Sequence, residues 1–576
     1  LTDRLDAEHE ENTMKCLALL FMLLVAMAAG GQTLSQTKSA NAGTQCGPGE
    51  LVVNYGGKQV GTETYTIDCP AGGGFSATGT TVMEIGGAKL NLTTTMEADA
   101  SSVPTKFAMK GTSFGTAVDQ TVVMKDGAAT VTNGGVATPV SYPAGTVLLP
   151  NNLSFPMQFI VNRYDQAKGG VQDLVIFPDI KATLEFVRYD EVPAGAAAPK
   201  LGRYLLKVGT LKLFVWTEAG GRAVIFSNPG QTFNAVRKEY VPASGALLAL
   251  VAAPKPDYSA PAGAAFTAEE VTVQAKGHTL AGTLLLPKNA HGKVPAVITI
   301  TGSGQQNRDE QLALANLDKY RPLRQIAEAL ASQGIAVLRV DDRGAGDSTG
   351  IDGINDATTA DFADDTRAQV AYLRTRKEID RDRIALAGHS EGGIIGPMVA
   401  ADDPKIAAIV ILAGTAQRGD AVLLYQFNHG LDTPAAASLT EEQKTAARAE
   451  NAAAIRTAME GGDTSGFPPI LKAPWTKWFL NYDPVPTIRK VKQPVLILQG
   501  DLDRQVIREN AGMLLKEANA AGNQQVEVDY FPTLNHLFLP SKTGDPTEYE
   551  SLTVQEIPAD VISTLTGWLV KTLKAK

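Results

Sequence analysis

The chain has 576 residues, too many for one hydrophobic core, so two or more domains are expected. Its 44% apolar and 20% charged residues exclude a disordered chain. A formal charge of −9 excludes a basic face for nucleic acid.

Residues 1–13 precede Met14, which has the form of a start, and read as a non-native leader. Met14-Lys15 is followed by an apolar run over 16–29, with the small pair Ala26 and Ala28 and then Gly30-Gly31-Gln32. One lysine, a short apolar core and small residues at its end predict a signal peptide over 14–31. The run is short for a bilayer span and no later run is long enough to try. The expectation is export to the bacterial periplasm or beyond, with no stable membrane insertion after cleavage. Residues 32–45 are small and polar and read as a flexible leader. Of three cysteines, Cys16 lies in the signal, which leaves Cys46 and Cys69 as a candidate disulfide. Spacing alone does not bring the two together. No cluster has metal-ligand spacing, so no metal is expected.

Residues 46–240 read as an antiparallel β domain. Alternating runs recur at 62–67, 89–96, 181–189 and 204–217. Gly-Gly pairs at 56–57, 86–87 and 220–221 supply the positive φ angles of tight hairpins. A strongly curved half-barrel or a sandwich is expected. Residues 241–266 are rich in Ala and Pro and read as a linker.

From 267 to 576 the pattern changes. A hairpin turns at Lys276-Gly277, and then strands that are apolar throughout alternate with amphipathic helices. The strands are 294–300, 335–340, 383–388, 406–414, 494–500 and 526–531. Helical stripes are Leu323, Ile326, Ala327, Leu330 and then Phe362, Thr366, Val370, Leu373. Apolar strands alternating with helices predict a doubly wound α/β domain with a mostly parallel sheet. Residues 416–480 interrupt the alternation, are Ala-rich and helical, and carry Trp475, Trp478 and Phe479. They read as a helical cap.

The sequence RIALAGHSEGGIIG, residues 383–396, places Ser390 between a buried strand and a helix. A serine hydroxyl is a poor nucleophile unless exposed and aligned with a base. A sharp strand-to-helix turn exposes it, and flanking side chains would collide there, hence Gly388 and Gly392. This is the Gly-x-Ser-x-Gly elbow; an ordinary glycine-rich turn is the competing reading. The elbow aims the Glu391 N–H at a developing oxyanion. A second donor is expected from Thr301-Gly302-Ser303-Gly304, at Ser303 with Gly304 as its neighbour. Six histidines narrow the base by elimination. His9 lies in the leader, His278 and His291 precede the parallel strands, His429 lies in the cap, and the side chain of His389, next to Ser390, should point elsewhere. His536, just after the last strand, remains. Asp501 and Asp503 both stand at the correct sheet edge for the orienting acid, and spacing does not separate them.

These motifs resemble those of bacterial α/β-hydrolase carboxylesterases close to the serine-aminopeptidase-like and dienelactone-hydrolase-like branches. The matching stretches are ITGSGQQNRDE (300–310), VDDRGAGDSTG (340–350), IDRDRIALAGHSEGG (379–393), FLNYDP (479–484), PVLILQGDLDRQV (494–506) and LNHLF (534–538). The order Ser, Asp, His along the chain is that of this fold. The resemblance implies an α/β-hydrolase domain over 267–576 behind a β domain, and a cofactor-free serine carboxylesterase acting on small acyl esters. It implies Ser390 as nucleophile, His536 as base and Asp503, in Gly-x-x-Asp-x-x-Val, as the acid. The chain departs from the family at Gln305, Asn307 and 344–348, which bears on substrate preference and not on the triad. Arg308, Asp309 and Arg343 read as loop-anchoring ion pairs. A peptidase of the same fold, or an envelope binding protein whose β domain carries the main role, are the alternative expectations. Oligomeric state is not encoded in any motif.

Overall fold

A computed structural model describes residues 45–575, apart from 72, 86–87, 114–115, 152, 194–197, 210, 253–254, 313, 351–356, 434–435, 438, 463–470 and 472. The expected leader, signal peptide and Gly86-Gly87 turn therefore lie outside the described residues. These fall into two compact units, 45–255 and 256–575. Among the described residues no helix is long and apolar enough to cross a membrane.

The first unit is built on one antiparallel sheet of 14 strands. Alternation explains the strands. In Phe75–Ile85, residues 75, 77, 79, 81 and 83 are buried and those between them exposed. Each strand pairs with its sequence neighbours, except that Val136–Ser141 and Val171–Ile176 do not pair with each other, and the first, Gly47–Tyr55, also pairs with the last, Phe233–Arg237. Val136–Ser141 and Val171–Ile176 form the two edges. Residues from both halves of the sheet share one apolar core with the short helix Met157–Val161, all five residues of which are buried. One continuous sheet, with a main core and a smaller cluster at Trp216 and Tyr240, replaces the two sheets of the sandwich alternative. Gly56 and Gly57, at φ +58° and +78°, make the first hairpin turn. Cys46 and Cys69 form a disulfide, with Cα atoms 5.9 Å apart.

The expected linker is corrected at its start. Val241–Ala249 is a helix whose Leu247 packs with Trp216 and Tyr240. Its Ala content, read as linker composition, is also strong helix-forming composition, and Pro242 sits in the first turn, where it costs no hydrogen bond.

The second unit holds eight strands. Their spatial order is Phe266–Ala275, His278–Pro287, Ala336–Val340, Val294–Ile300, Ile379–His389, Ile406–Leu412, Val495–Gly500 and Val526–Phe531. The first two form an antiparallel hairpin, His278–Pro287 pairs antiparallel with Ala336–Val340, and the other six are mutually parallel. All seven residues of Val294–Ile300 are buried, as in a sheet covered on both faces. Thr359–Thr375, Gly392–Asp402 and Glu509–Ala520 cover one face. Pro322–Ser332 and Ala559–Leu573 cover the other. Strand order reverses at Val294–Ile300, which lies between Ala336–Val340 and Ile379–His389. The loops leaving that point diverge, and a crevice opens at the carboxyl edge. Between Ile406–Leu412 and Val495–Gly500 the insertion carries the helices Gly419–Gly430, Glu441–Glu460 and Pro474–Asn481.

Candidate active site

Ser390 follows the strand Ile379–His389 and precedes the helix Gly392–Asp402. Its φ is +53°, in the left-handed region, which costs a residue with a side chain about 1–3 kcal/mol. The surrounding chain enforces that geometry. A Cβ on Gly388 would lie 2.0 Å from the Gly392 carbonyl oxygen, and one on Gly392 2.5 Å from that of Ile300. The Ser390 N–H donates to the Leu412 carbonyl at 2.8 Å, anchoring the turn to the next strand.

Ser390 and His536 line one cavity of about 330 Å³. His536 stands in the turn after the last strand, where the Asn535 carboxamide oxygen accepts the N–H groups of Leu537 and Leu539 at 3.0 and 3.1 Å. The Tyr320 hydroxyl donates to the Leu537 carbonyl at 2.6 Å and fixes the turn from the opposite side. The Nδ1 of His536 lies 2.8 Å from Oδ2 of Asp503. Asp503 is itself held firmly. Its Oδ1 accepts the N–H groups of Gln505 and Val506, both at 2.8 Å, and its Oδ2 accepts Nε2 of Gln499 at 3.2 Å. Asp501 instead meets Arg508 at 2.9 Å.

The loop after Val294–Ile300 is pinned from beneath. The Thr301 hydroxyl donates to Asp342 at 2.8 Å, and the Gln306 N–H donates to the same carboxylate at 3.0 Å. Burial raises the Asp342 pKa well above the usual carboxylate range, against the pull of those two donors. Arg308 is fully buried, grips Asp341 through Nε and Nη2, and lies over the Tyr258 ring. Asp309 pairs with Arg339, and Arg343 with Asp365. Ser303 lines the cavity beside Ser390, whereas Gly304 lines a separate small cleft with Asp342.

Glu391 follows Ser390 and is buried. Its Oε1 accepts the Thr359 hydroxyl at 2.6 Å and the Trp475 indole N–H at 2.7 Å, and the Ser303 hydroxyl also bonds to this carboxyl. Burial raises its pKa, and the three donors offset part of the rise. Glu391 therefore ties the elbow, the loop at Ser303 and the cap to one another. Trp475 and Phe479 stack at 4.9 Å and, with Val422, Leu423 and Gln426, form the cap wall of the cavity. Trp478 stacks on Tyr482 instead.

His389 does more than its position suggests. Nδ1 lies 2.8 Å from Glu310 Oε1, and Nε2 lies 2.9 Å from the His536 carbonyl oxygen. Glu310 lies within the stretch 300–310, and nothing in the sequence pairs it with His389. Gln505 and Tyr549 also line the cavity, joined by a 2.7 Å hydrogen bond, and no motif marks Tyr549. Among the described residues, no group of three or more His, Cys, Asp or Glu could hold a metal ion.

Residues 317–541 match the family described as serine aminopeptidase, S33. Esterase EstD of Thermotoga maritima is 28% identical over 325 residues, covering 55% of this chain and 70% of that protein. Among solved structures, an esterase of Pyrococcus furiosus is 17% identical with a TM-score of 0.36, covering 55% of this chain and 96% of its own. The α/β-hydrolase GrgF of a Penicillium species is 18% identical with a TM-score of 0.36, covering 53% and 99%. The family match falls on the unit whose strand order reverses beside the serine elbow, and over this unit the chain is similar to the serine aminopeptidase, S33, family and to an esterase.

Proposed function

We propose that this protein is an exported carboxylesterase that cleaves small, uncharged acyl esters through Ser390, His536 and Asp503. The observation that carries the reading is one cavity lined by both Ser390 and His536, with His536 held by Asp503 at 2.8 Å. With Nδ1–H donated to Asp503, Nε2 of His536 carries the lone pair that a general base needs. Ser390 Oγ attacks the ester carbonyl, and its proton passes to His536. The backbone N–H groups of Glu391 and Ser303 stabilise the oxyanion. His536 then returns the proton to the leaving alcohol, giving an acyl-enzyme that water hydrolyses by the same steps in reverse roles. Asp503 stays ionised and offsets the imidazolium charge.

Esters are favoured over aminoacyl substrates by the state of the cavity's carboxylates. An aminopeptidase needs an acid free to hold the substrate's ammonium. Glu310 and Glu391 line the cavity, and the first is engaged by His389 and Gly302, the second by Thr359, Trp475 and Ser303. Export is supported by the sequence of 14–31 and by the Cys46–Cys69 disulfide, a bond that persists in oxidising compartments.

The test is turnover of p-nitrophenyl acetate and butyrate beside an aminoacyl anilide. Ester cleavage is expected, and Ser390→Ala should reduce it by orders of magnitude. Retained turnover in that variant rejects the assignment, and preference for the anilide rejects the substrate class.

A further inference from the structure

The geometry points to His389 and Glu310 as a charged positioning pair that ties the oxyanion loop to the turn carrying His536. The inference rests on the reading of His536 as the base. Its ground is hydrogen-bond accounting around one buried ring. The His389 nitrogens face Glu310 Oε1 at 2.8 Å and the His536 carbonyl oxygen at 2.9 Å. A carboxylate and a carbonyl both accept, so a ring that satisfies both must donate twice, which makes it an imidazolium. The same Glu310 oxygen accepts the Gly302 N–H at 2.7 Å. A continuous path then runs from Gly302 through Glu310 and His389 to the backbone of His536.

Backbone geometry supports the assignment. Glu310 has φ +56°, a strained value held by its N–H bond to the Asn307 carbonyl at 2.8 Å. A Cβ on Gly302 would lie 2.9 Å from Glu310 Oε1 and 3.5 Å from His389 Nδ1. The loop therefore has glycine where the pair comes closest. Burial on its own would discharge the His389 ring. The Glu310 carboxylate, the His536 carbonyl and the more distant Asp503 outweigh it, and the net direction of the pKa is upward.

The consequence falls on the base. The His389 ring centre is 4.8 Å from that of His536, inclined at 43°, and the uncharged Phe538 ring lies on its other side at 6.3 Å. The charges facing His389 are Glu310 on the loop, His536 on its turn, and Asp503 behind His536. The ring contact and the bond from His389 to the His536 carbonyl oxygen hold the turn from which the base projects. The pair positions His536 and its loop and touches no reacting atom.

The test is the paired variant His389→Gln/Glu310→Gln, which removes both charges without leaving one buried and unpaired. At pH 7, kcat should fall about tenfold while KM changes by less than about twofold. An unchanged kcat in the folded variant overturns the proposal. If the variant does not fold, histidine ¹⁵N NMR of the wild-type chain decides. Two protonated ring nitrogens on His389 at pH 7 support the pair, and a neutral ring overturns it. Those signals do not depend on turnover, so they separate failure of this pair from failure of the serine mechanism.

Discussion

The indole N–H of Trp475 donates to Oε1 of Glu391 at 2.7 Å, so the cap helix Pro474–Asn481 is bonded to the residue that follows Ser390. Through Glu391 the same contact reaches Ser303 and Thr359. The cap thus restrains both residues whose N–H groups would hold the oxyanion.

Trp475→Phe keeps the ring and removes the donor. A hydrogen bond to a charged group contributes about 1.5–3 kcal/mol, so the melting temperature should fall. Loss of one restraint on Glu391 should also lower kcat by about tenfold, equivalent to about 1.4 kcal/mol in the barrier. Trp478→Phe on the same helix is the control, because Trp478 stacks on Tyr482 and does not line the cavity. Steady-state kinetics of both variants, with melting curves, separate the two effects. Equal kcat in the two would refute the coupling.

Asp503→Asn should leave the fold nearly intact and lower kcat by about 10⁴, since the amide offers His536 Nδ1 a donor and favours the wrong tautomer. Its remaining oxygen can still accept from Gln505 and Val506. Asp501→Asn should change kcat little, as that carboxylate meets Arg508 near the surface. Comparing the two rates decides between acids that spacing on its own left open.

Gly302→Ala tests the close approach. The new methyl would lie 3.3 Å from Ser390 Cβ as well as 2.9 Å from Glu310 Oε1. The carboxylate end must swing away, which breaks its bond to His389. The expected result is a folded protein with lowered kcat and a KM close to wild type, read from initial rates over a range of ester concentrations. Wild-type kcat would show that the loop tolerates the displacement.

What could be read from the sequence follows the range of each interaction. The buried strands of the second unit are legible because a doubly covered strand is apolar at every position, as in Val294–Ile300. The turn at Ser390 is legible because the close approach of Gly388 to the Gly392 carbonyl acts within four residues, whereas the approach of Gly392 to Ile300 comes from another strand. The joining of the two halves of the first sheet is not legible, since Gly47–Tyr55 meets Phe233–Arg237 across most of the unit and either strand alone looks like any other. The helix Val241–Ala249 was hidden by its composition, because Ala and Pro suit a linker and a helix start alike. His389 was set aside as a neighbour of the nucleophile. Strand alternation turns successive side chains to opposite sides, but only tertiary structure supplies the Glu310 carboxylate that receives this one.

The last prediction concerns the β unit. Glu63 is fully buried, and its carboxylate accepts the N–H of Ser154 at 2.9 Å and of Phe155 at 2.6 Å, just ahead of the helix Met157–Val161. Burial pushes its pKa up from 4.5 to about 7, and those donors do not fully compensate. The folded state therefore binds a proton that the unfolded chain has released between these two values. The stability linked to this group is fully present below pH 4.5 and is lost as pH rises through about 7. The loss amounts to about 3 kcal/mol at most. Calorimetry of the full chain should show a β-unit transition at lower temperature at pH 8 than at pH 5. Glu63→Gln, which never ionises, should lack that part of the slope and melt above wild type at pH 8. If wild type and variant show the same pH dependence, Glu63 is not protonated in the folded β unit, and its carboxylate stays ionised against the backbone of Ser154 and Phe155.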